Sequence, residues 1–135
     1  MKTDAFEVRG GKRLSGTIIP QGAKNEALQI LSAVLLFDED ITISNVPDIL
    51  DVNVLIELLS EMGVRVTRQA TDTYTFNAAA VDPEILLTDG FKKRAGHLRG
   101  SVMILGPLLA RFRRAYLPTP GGDKIGRRRL DTHFL

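Results

Sequence analysis

An α/β fold assembled from a repeated unit is what the sequence predicts, and three observations predict it. Residues 23–77 read in order as helix, strand, helix, strand, strand, the apolar spacing switching between the three-to-four-residue period of a helix and the alternation of a strand. Residues 94–110 then repeat the layout of the first helix, with cations at the N-terminal end and an apolar stem behind, as a second copy of one unit would. The 135 residues, 44% of them hydrophobic, suffice for one core but are few for a two-domain enzyme, so one domain, or a piece of one, is expected.

Taken in order, residues 5–9 and 14–20 are expected to pair as a short hairpin turning at Gly10-Gly11, where positive dihedrals cost little. Past Pro20-Gln21-Gly22, residues 23–36 are rich in helix formers and apolar almost all round beyond the first turn, which predicts a buried helix. Its polar residues Lys24, Asn25 and Glu26 crowd at the start, where N–H groups without helical partners and the macrodipole favour an anion. Lys24 and Asn25 are therefore expected to face a ligand. Residues 41–46 alternate apolar and polar, a strand closed by Pro47. Val52, Leu55, Leu58, Leu59 and Met62 recur at helical spacing, with Asp51 at the expected start and Gly63 as the left-handed stop. Residues 64–68 and 74–77 alternate on either side of a polar turn and predict a further hairpin.

A less regular segment around Pro83 leads to the second basic-then-apolar stretch, residues 94–110, where Gly106-Pro107 is expected to kink or interrupt the helix. Residues 113–117 predict a strand entering a glycine loop, and residues 130–135 the first turns of another helix. A chain that stops on Phe134-Leu135 reads as cut within a domain.

Composition narrows the function classes. A net charge of +2 is too even for a protein that coats nucleic acid, and no partner of that kind is expected. The absence of cysteine excludes disulfides, thiolate metal sites and a cysteine nucleophile. With only His97 and His133 as imidazoles, no metal is expected. The opening residues lack the apolar core of a signal peptide and no apolar run approaches membrane-spanning length, so the expectation is a cytoplasmic chain with no membrane partner.

The densest chemistry lies in residues 118–129, a loop with prolines at its mouth, three glycines, one carboxylate and four cations. Gly121-Gly122 permit a sharp turn and close approach to a ligand, which leaves Asp123 at the tip. Among Lys124, Arg127, Arg128 and Arg129 that acid is drawn toward its ionised form, whereas burial or a bound anion would push it the other way, so it can serve as acid or base. The plainer reading is a surface turn in a cationic patch. Gly121 and Gly126 have the outer spacing of a P-loop, but Arg127-Arg128 stand where that motif needs Lys and Ser or Thr. No dinucleotide-type glycine triplet and no Gly-x-Ser-x-Gly elbow is present. Residues 111–114 and 127–129 allow phosphate-backbone contacts without any recognised nucleic-acid motif. Lys24, Arg99 and Arg128 each read singly as a solvated charge at an element end. Together they place three cations at the starts of apolar elements, where they can converge on a ligand carrying a carboxylate and a phosphate. His133 reads as a packing or hydrogen-bonding residue and Asp131 as a cap for the last helix.

Four spaced motifs, covering the whole chain in order, carry a resemblance. Gly22-Ala23-Lys24-Asn25, then Asn45-Val46-Pro47 followed by Asp51-Val52, then Arg99-Gly100-Ser101 with Leu105-Gly106-Pro107-Leu108-Leu109-Ala110-Arg111, and finally Pro120-Gly121-Gly122 with Ile125, Gly126, Arg128, Asp131 and His133, are similar to the UDP-N-acetylglucosamine 1-carboxyvinyltransferase family of enolpyruvyl transferases, which opens peptidoglycan synthesis. The sister enzymes of the shikimate pathway are less similar, since they normally carry Lys-Ser where this chain has Lys24-Asn25.

The resemblance implies an inside-out α/β barrel of repeated βαβαββ units, truncated here. It assigns residues 1–20 to a hairpin of the second, C-terminal-type domain and residues 21–135 to part of the catalytic domain carrying the glycine loop. It implies phosphoenolpyruvate and UDP-N-acetylglucosamine as substrates, the missing C-terminal part of the same protein as partner, and no cofactor. Carried over by position, Lys24, Arg99 and Arg128 bind the phosphate and carboxylate of phosphoenolpyruvate, Asn25 contacts the sugar, and Asp51, Gly121, Gly122, Asp131 and His133 support the site. Asp123 stands where most members have a cysteine that donates a proton and assists product release. A carboxylic acid can fill that role if its pKa is held near working pH, and the missing thiolate implies resistance to fosfomycin. Because family members are far longer, with the general base and a further arginine beyond this sequence, the fragment alone is expected to be inactive. The alternative reading is a non-catalytic anion- or nucleic-acid-binding module on the same scaffold.

Overall fold

A computed structural model describes residues 5–118. The order of elements is α1 (Lys24–Ala33), β1 (Asp40–Ile43), α2 (Leu50–Glu61), β2 (Arg65–Arg68), β3 (Tyr74–Asn77), α3 (Asp89–Ala95) and α4 (Leu105–Phe112), with 3₁₀ turns at Val34–Leu36, Pro83–Leu87 and Arg99–Ile104. The glycine loop from residue 119 on, with Gly121, Gly122, Asp123, Arg128, Asp131 and His133, lies outside the described residues, as does the helix expected at 130–135.

The alternating stretches form one antiparallel sheet of order β1-β3-β2. β1 and β2 run parallel to each other with β3 between them, so α2 is the crossover of a split βαβ unit. The register sets Ile41 and Val66 on either side of Phe76, and Phe76 is fully buried against the helices. On the opposite face Thr42, Thr75 and Thr67 share a row, and the hydroxyls of Thr42 and Thr75 lie 2.9 Å apart. One-residue slippage would exchange these rows and expose Phe76, which fixes the pairing. The turn between β2 and β3 is held by the Arg68 guanidinium, which donates to the carbonyls of Ala70 and Thr71 at 3.1 and 2.6 Å.

α2 buries Val52, Leu55, Leu58 and Leu59, the stripe read from its spacing. It ends as expected: Gly63 has φ +97°, and the Val64 N–H reaches back to the Leu59 carbonyl. Its start differs from expectation. Ile49 is the N-cap, without a side-chain hydrogen bond, and Asp51 sits one residue inside the first turn, facing another element.

α1 corrects the expectation of an all-round buried helix. Leu28, Leu31 and Ser32 are buried, followed by Val34 and Leu35 in the 3₁₀ turn, but Ile30, Leu36 and Phe37 remain 44–46% exposed. α2, α4 and the Arg99–Ile104 turn pack against one side of α1 and the turn that follows it, and leave this other face open.

The second basic-then-apolar stretch is not one helix. Thr88 caps α3, its hydroxyl accepting from the Phe91 N–H at 3.3 Å, in the segment read as irregular; Asp82 likewise accepts from the Glu84 N–H at 2.9 Å. The interruption falls at Arg99–Ile104, upstream of Gly106-Pro107. Pro107 occupies the first turn of α4, where the α-helical ladder does not call on its N–H.

Two expected strand regions are absent. Residues 113–117 follow a left-handed Arg113, φ +57°, and form no strand. Residues 5–20 form no hairpin and are exposed throughout, Phe6 and Ile18 among them at 100% and 91%. A two-stranded hairpin is marginal without an apolar surface beneath it, and nothing in residues 21–118 covers this one.

Candidate functional site

The start of α1 is held by a close backbone approach. A Cβ on Gly22 would lie 2.0 Å from the Asn45 carbonyl oxygen, so only glycine lets the chain pass this turn. Asn45 is left-handed at φ +57°, and the Val46 N–H donates to the Asp72 carbonyl at 2.9 Å, tying the turn to the β2–β3 loop. Gly22 and Asn45-Val46-Pro47, separate motifs in the sequence, are thus one packed junction.

From that junction α1 starts at Ala23, an extended N-cap with no side-chain hydrogen bond. The first-turn N–H groups of Lys24, Asn25 and Glu26 precede any intrahelical acceptor, and all three residues are exposed. The Lys24 ammonium donates to the Asp51 carboxylate at 2.7 Å, joining the starts of α1 and α2 across 27 residues. The two side chains are 48% and 40% exposed.

The turn that begins at Arg99 packs against α1 by a different device. The Ser101 hydroxyl, fully buried, donates to the carbonyls of Ala95 and Leu98 at 2.9 and 2.7 Å and locks the 3₁₀ turn. A Cβ on Gly100 would lie 2.9 Å from a methyl of Leu28, one helical turn beyond Lys24. Arg99, half-buried, stands next to that contact and forms no ion pair with any of the described residues. The structure therefore pairs Lys24 with Asp51 at the start of α1, with Asn25 exposed beside Lys24, and sets Gly100, the neighbour of Arg99, against Leu28 of the same helix. A cleft of about 100 Å³ also opens near this end, between Gly22, Glu26, Ser44 and Asn45; Lys24, Asp51 and Arg99 do not line it.

Two arginines of the basic cluster at residues 111–114, Arg111 and Arg114, are committed to the protein itself. The Arg111 guanidinium, its side chain 18% exposed, donates to the carbonyls of Leu35 and Ala78 at 3.0 and 2.9 Å and pairs with Asp38. It fastens α4 to the end of the α1 segment and to the sheet. Arg114 pairs with Glu84 at 2.6 Å. Sequence reasoning missed Arg111 as a structural group, since its acceptors lie 33 and 76 residues away.

Comparison with known proteins agrees with this architecture. The family model EPSP synthase (3-phosphoshikimate 1-carboxyvinyltransferase) matches residues 8–134. A Bacteroides thetaiotaomicron protein named UDP-N-acetylglucosamine 1-carboxyvinyltransferase is 59% identical over 131 residues, 97% of this chain and 30% of that protein. Relatives of the same name from Porphyromonas gingivalis and Bradyrhizobium diazoefficiens are 53% and 44% identical, over 97% and 96% of this chain and 30% and 29% of theirs. The chain thus spans about 30% of the length of these curated relatives. Among solved structures, the enolpyruvyl transferase NikO from Streptomyces tendae superposes with a TM-score of 0.58 at 28% identity, over 76% of this chain and 23% of that one. With a family model matched along nearly its whole length, the chain belongs to the EPSP synthase (3-phosphoshikimate 1-carboxyvinyltransferase) family.

Proposed function

We propose that the protein containing this chain transfers the enolpyruvyl group of phosphoenolpyruvate to the 3-hydroxyl of UDP-N-acetylglucosamine, releasing phosphate, in the first committed step of peptidoglycan synthesis. The observation that carries this reading is the 59% identity to a relative bearing that activity as its name. In this reading the sugar 3-hydroxyl gives up its proton to a base beyond this sequence as its oxygen bonds to C2 of phosphoenolpyruvate, while C3 gains a proton. The tetrahedral intermediate then expels phosphate as C3 loses a proton, and the double bond re-forms.

Lys24, Arg99 and Arg128 take the phosphate and carboxylate, Asn25 contacts the sugar, and Asp123 is the general acid carried on Gly121-Gly122, with Asp131 and His133 supporting the loop. The pairing of Lys24 with Asp51 and the placement of Arg99 against α1 support the anion-binding part of this assignment. The complete protein takes the inside-out barrel of repeated units, its second domain receiving residues 1–20, and works in the cytoplasm. Among the described residues no helix is long and apolar enough to cross a membrane.

The test is phosphate release by the full-length protein with both substrates. Activity is expected for the wild type, most of it lost in Asp123→Asn, with fosfomycin sensitivity appearing in Asp123→Cys. Near-normal rates for Asp123→Asn would refute the role of Asp123, and a full-length protein inert toward both substrates would refute the reaction.

A further inference from the structure

We propose that Asp51 is a positioning residue for Lys24, holding the ammonium in its ligand-binding orientation before the anion arrives. The inference rests on the reading of Lys24 as a ligand for the phosphate or carboxylate of phosphoenolpyruvate. It assigns to Asp51 no contact with the substrate.

The pair has little use as structural glue. Both side chains are close to half exposed, and an ion pair in that setting contributes little to stability. The helices it joins are already packed through fully buried residues, Leu31 on α1 and Leu55 on α2. Nor does Asp51 serve its own helix as a cap, because Ile49 holds the cap position. Its carboxylate, in the first turn of α2, instead reaches 2.7 Å from a residue 27 positions away. Negative charge at that place is favoured by the α2 dipole, and the backbone that carries the carboxylate is helical.

Lysine is where such a carboxylate has most effect. Its side chain is long and flexible, and immobilising it on a ligand reduces affinity unless the order exists beforehand. An ammonium has three donors, so engagement with one carboxylate is compatible with a second anion. The opposing effect, repulsion between Asp51 and an anionic ligand, is weakened by solvent at this exposed site. Orientation therefore wins, and removing the carboxylate weakens binding.

The experiment is equilibrium binding of phosphoenolpyruvate to the full-length protein, with thermal unfolding of each variant alongside. Asp51→Asn is expected to bind roughly tenfold more weakly, the scale of one charge-assisted contact. Its melting temperature should stay within about 2 °C of wild type, as for loss of an exposed pair. Asp51→Glu, which keeps the charge, should recover most of the affinity. Lys24→Gln should lose more than Asp51→Asn, and adding Asp51→Asn to Lys24→Gln should cost nothing further, because the carboxylate acts only through the ammonium. Should Asn at this position unfold α2, Asp51→Ser carries the same test with a residue suited to helix starts. Wild-type affinity in the Asp51 variants, or a further loss in the double variant, would overturn the positioning role alone. No binding by the wild type, or unchanged binding by Lys24→Gln, would overturn the reading of Lys24 and this inference with it.

Discussion

Single residues in this chain are decided by contacts that local sequence does not reveal. Gly22 stands where a methyl group would meet a backbone oxygen at 2.0 Å, and backbone on both sides leaves no flexible atom to yield. Gly22→Ala is expected to destabilise the protein by about 2 kcal/mol or more, read by denaturant unfolding, because one of two packed segments must move. Arg111 is the other such position. Replacing it by methionine keeps much of the apolar stem but leaves the Leu35 and Ala78 carbonyls without their donor and Asp38 without its cation. A loss of about 2–3 kcal/mol is expected by the same measurement. Lysine should restore only part of it, since an ammonium cannot reproduce the planar fork that spans these acceptors. A variant Arg111→Met as stable as wild type would mean that water replaces the guanidinium at no cost.

Elements were legible where periodicity alone decides them. The stripe of α2, its glycine stop, and the alternation of β2 and β3 were readable because each is a local pattern facing one core. The region 94–110 was misread because its division depends on distant partners: Gly100 lies against Leu28, and Ser101 folds back on Ala95 and Leu98. The start of α3 carries a usable local signal, Thr88 as N-cap. At the site, Lys24 and Arg99 were readable as cations at element starts, whereas the Lys24–Asp51 pair, spanning two helices, had no local signature. Pro107 shows where this helix begins. In the first turn of α4, Pro107→Ala should change stability by less than about 1 kcal/mol, whereas an interior proline would cost the helix about 3. Leu108→Ala, one residue on and fully buried, should cost about 2–5 kcal/mol. Unfolding curves of the two variants separate a helix that starts at Leu105 from one that runs through and bends.

At the scale of the whole molecule, the core and the surface disagree about where the structure is finished. Residues 28–108 close a core around Phe76, Leu55 and Leu31, all fully buried. Residues 5–20, by contrast, expose Phe6, Val8, Leu14, Ile18 and Ile19 at 88–100%. Apolar surface of that extent has no favourable place in water, and in the described residues it has no partner either. The segment should therefore behave as an independent tail on this chain. Among the described residues, trypsin is expected to cut the 135-residue chain at Arg9, Lys12 and Arg13 before Arg65 or Arg68, whose backbones are paired in the sheet. Removing residues 5–20 should lower the melting temperature by no more than about 2 °C while reducing self-association, because these residues support no part of the core. In the full-length protein the order of cleavage should reverse, with these sites protected once the remaining chain supplies a surface for them. Early cutting there in both proteins would show that residues 5–20 dock on nothing, and would remove the basis for assigning them to a second domain.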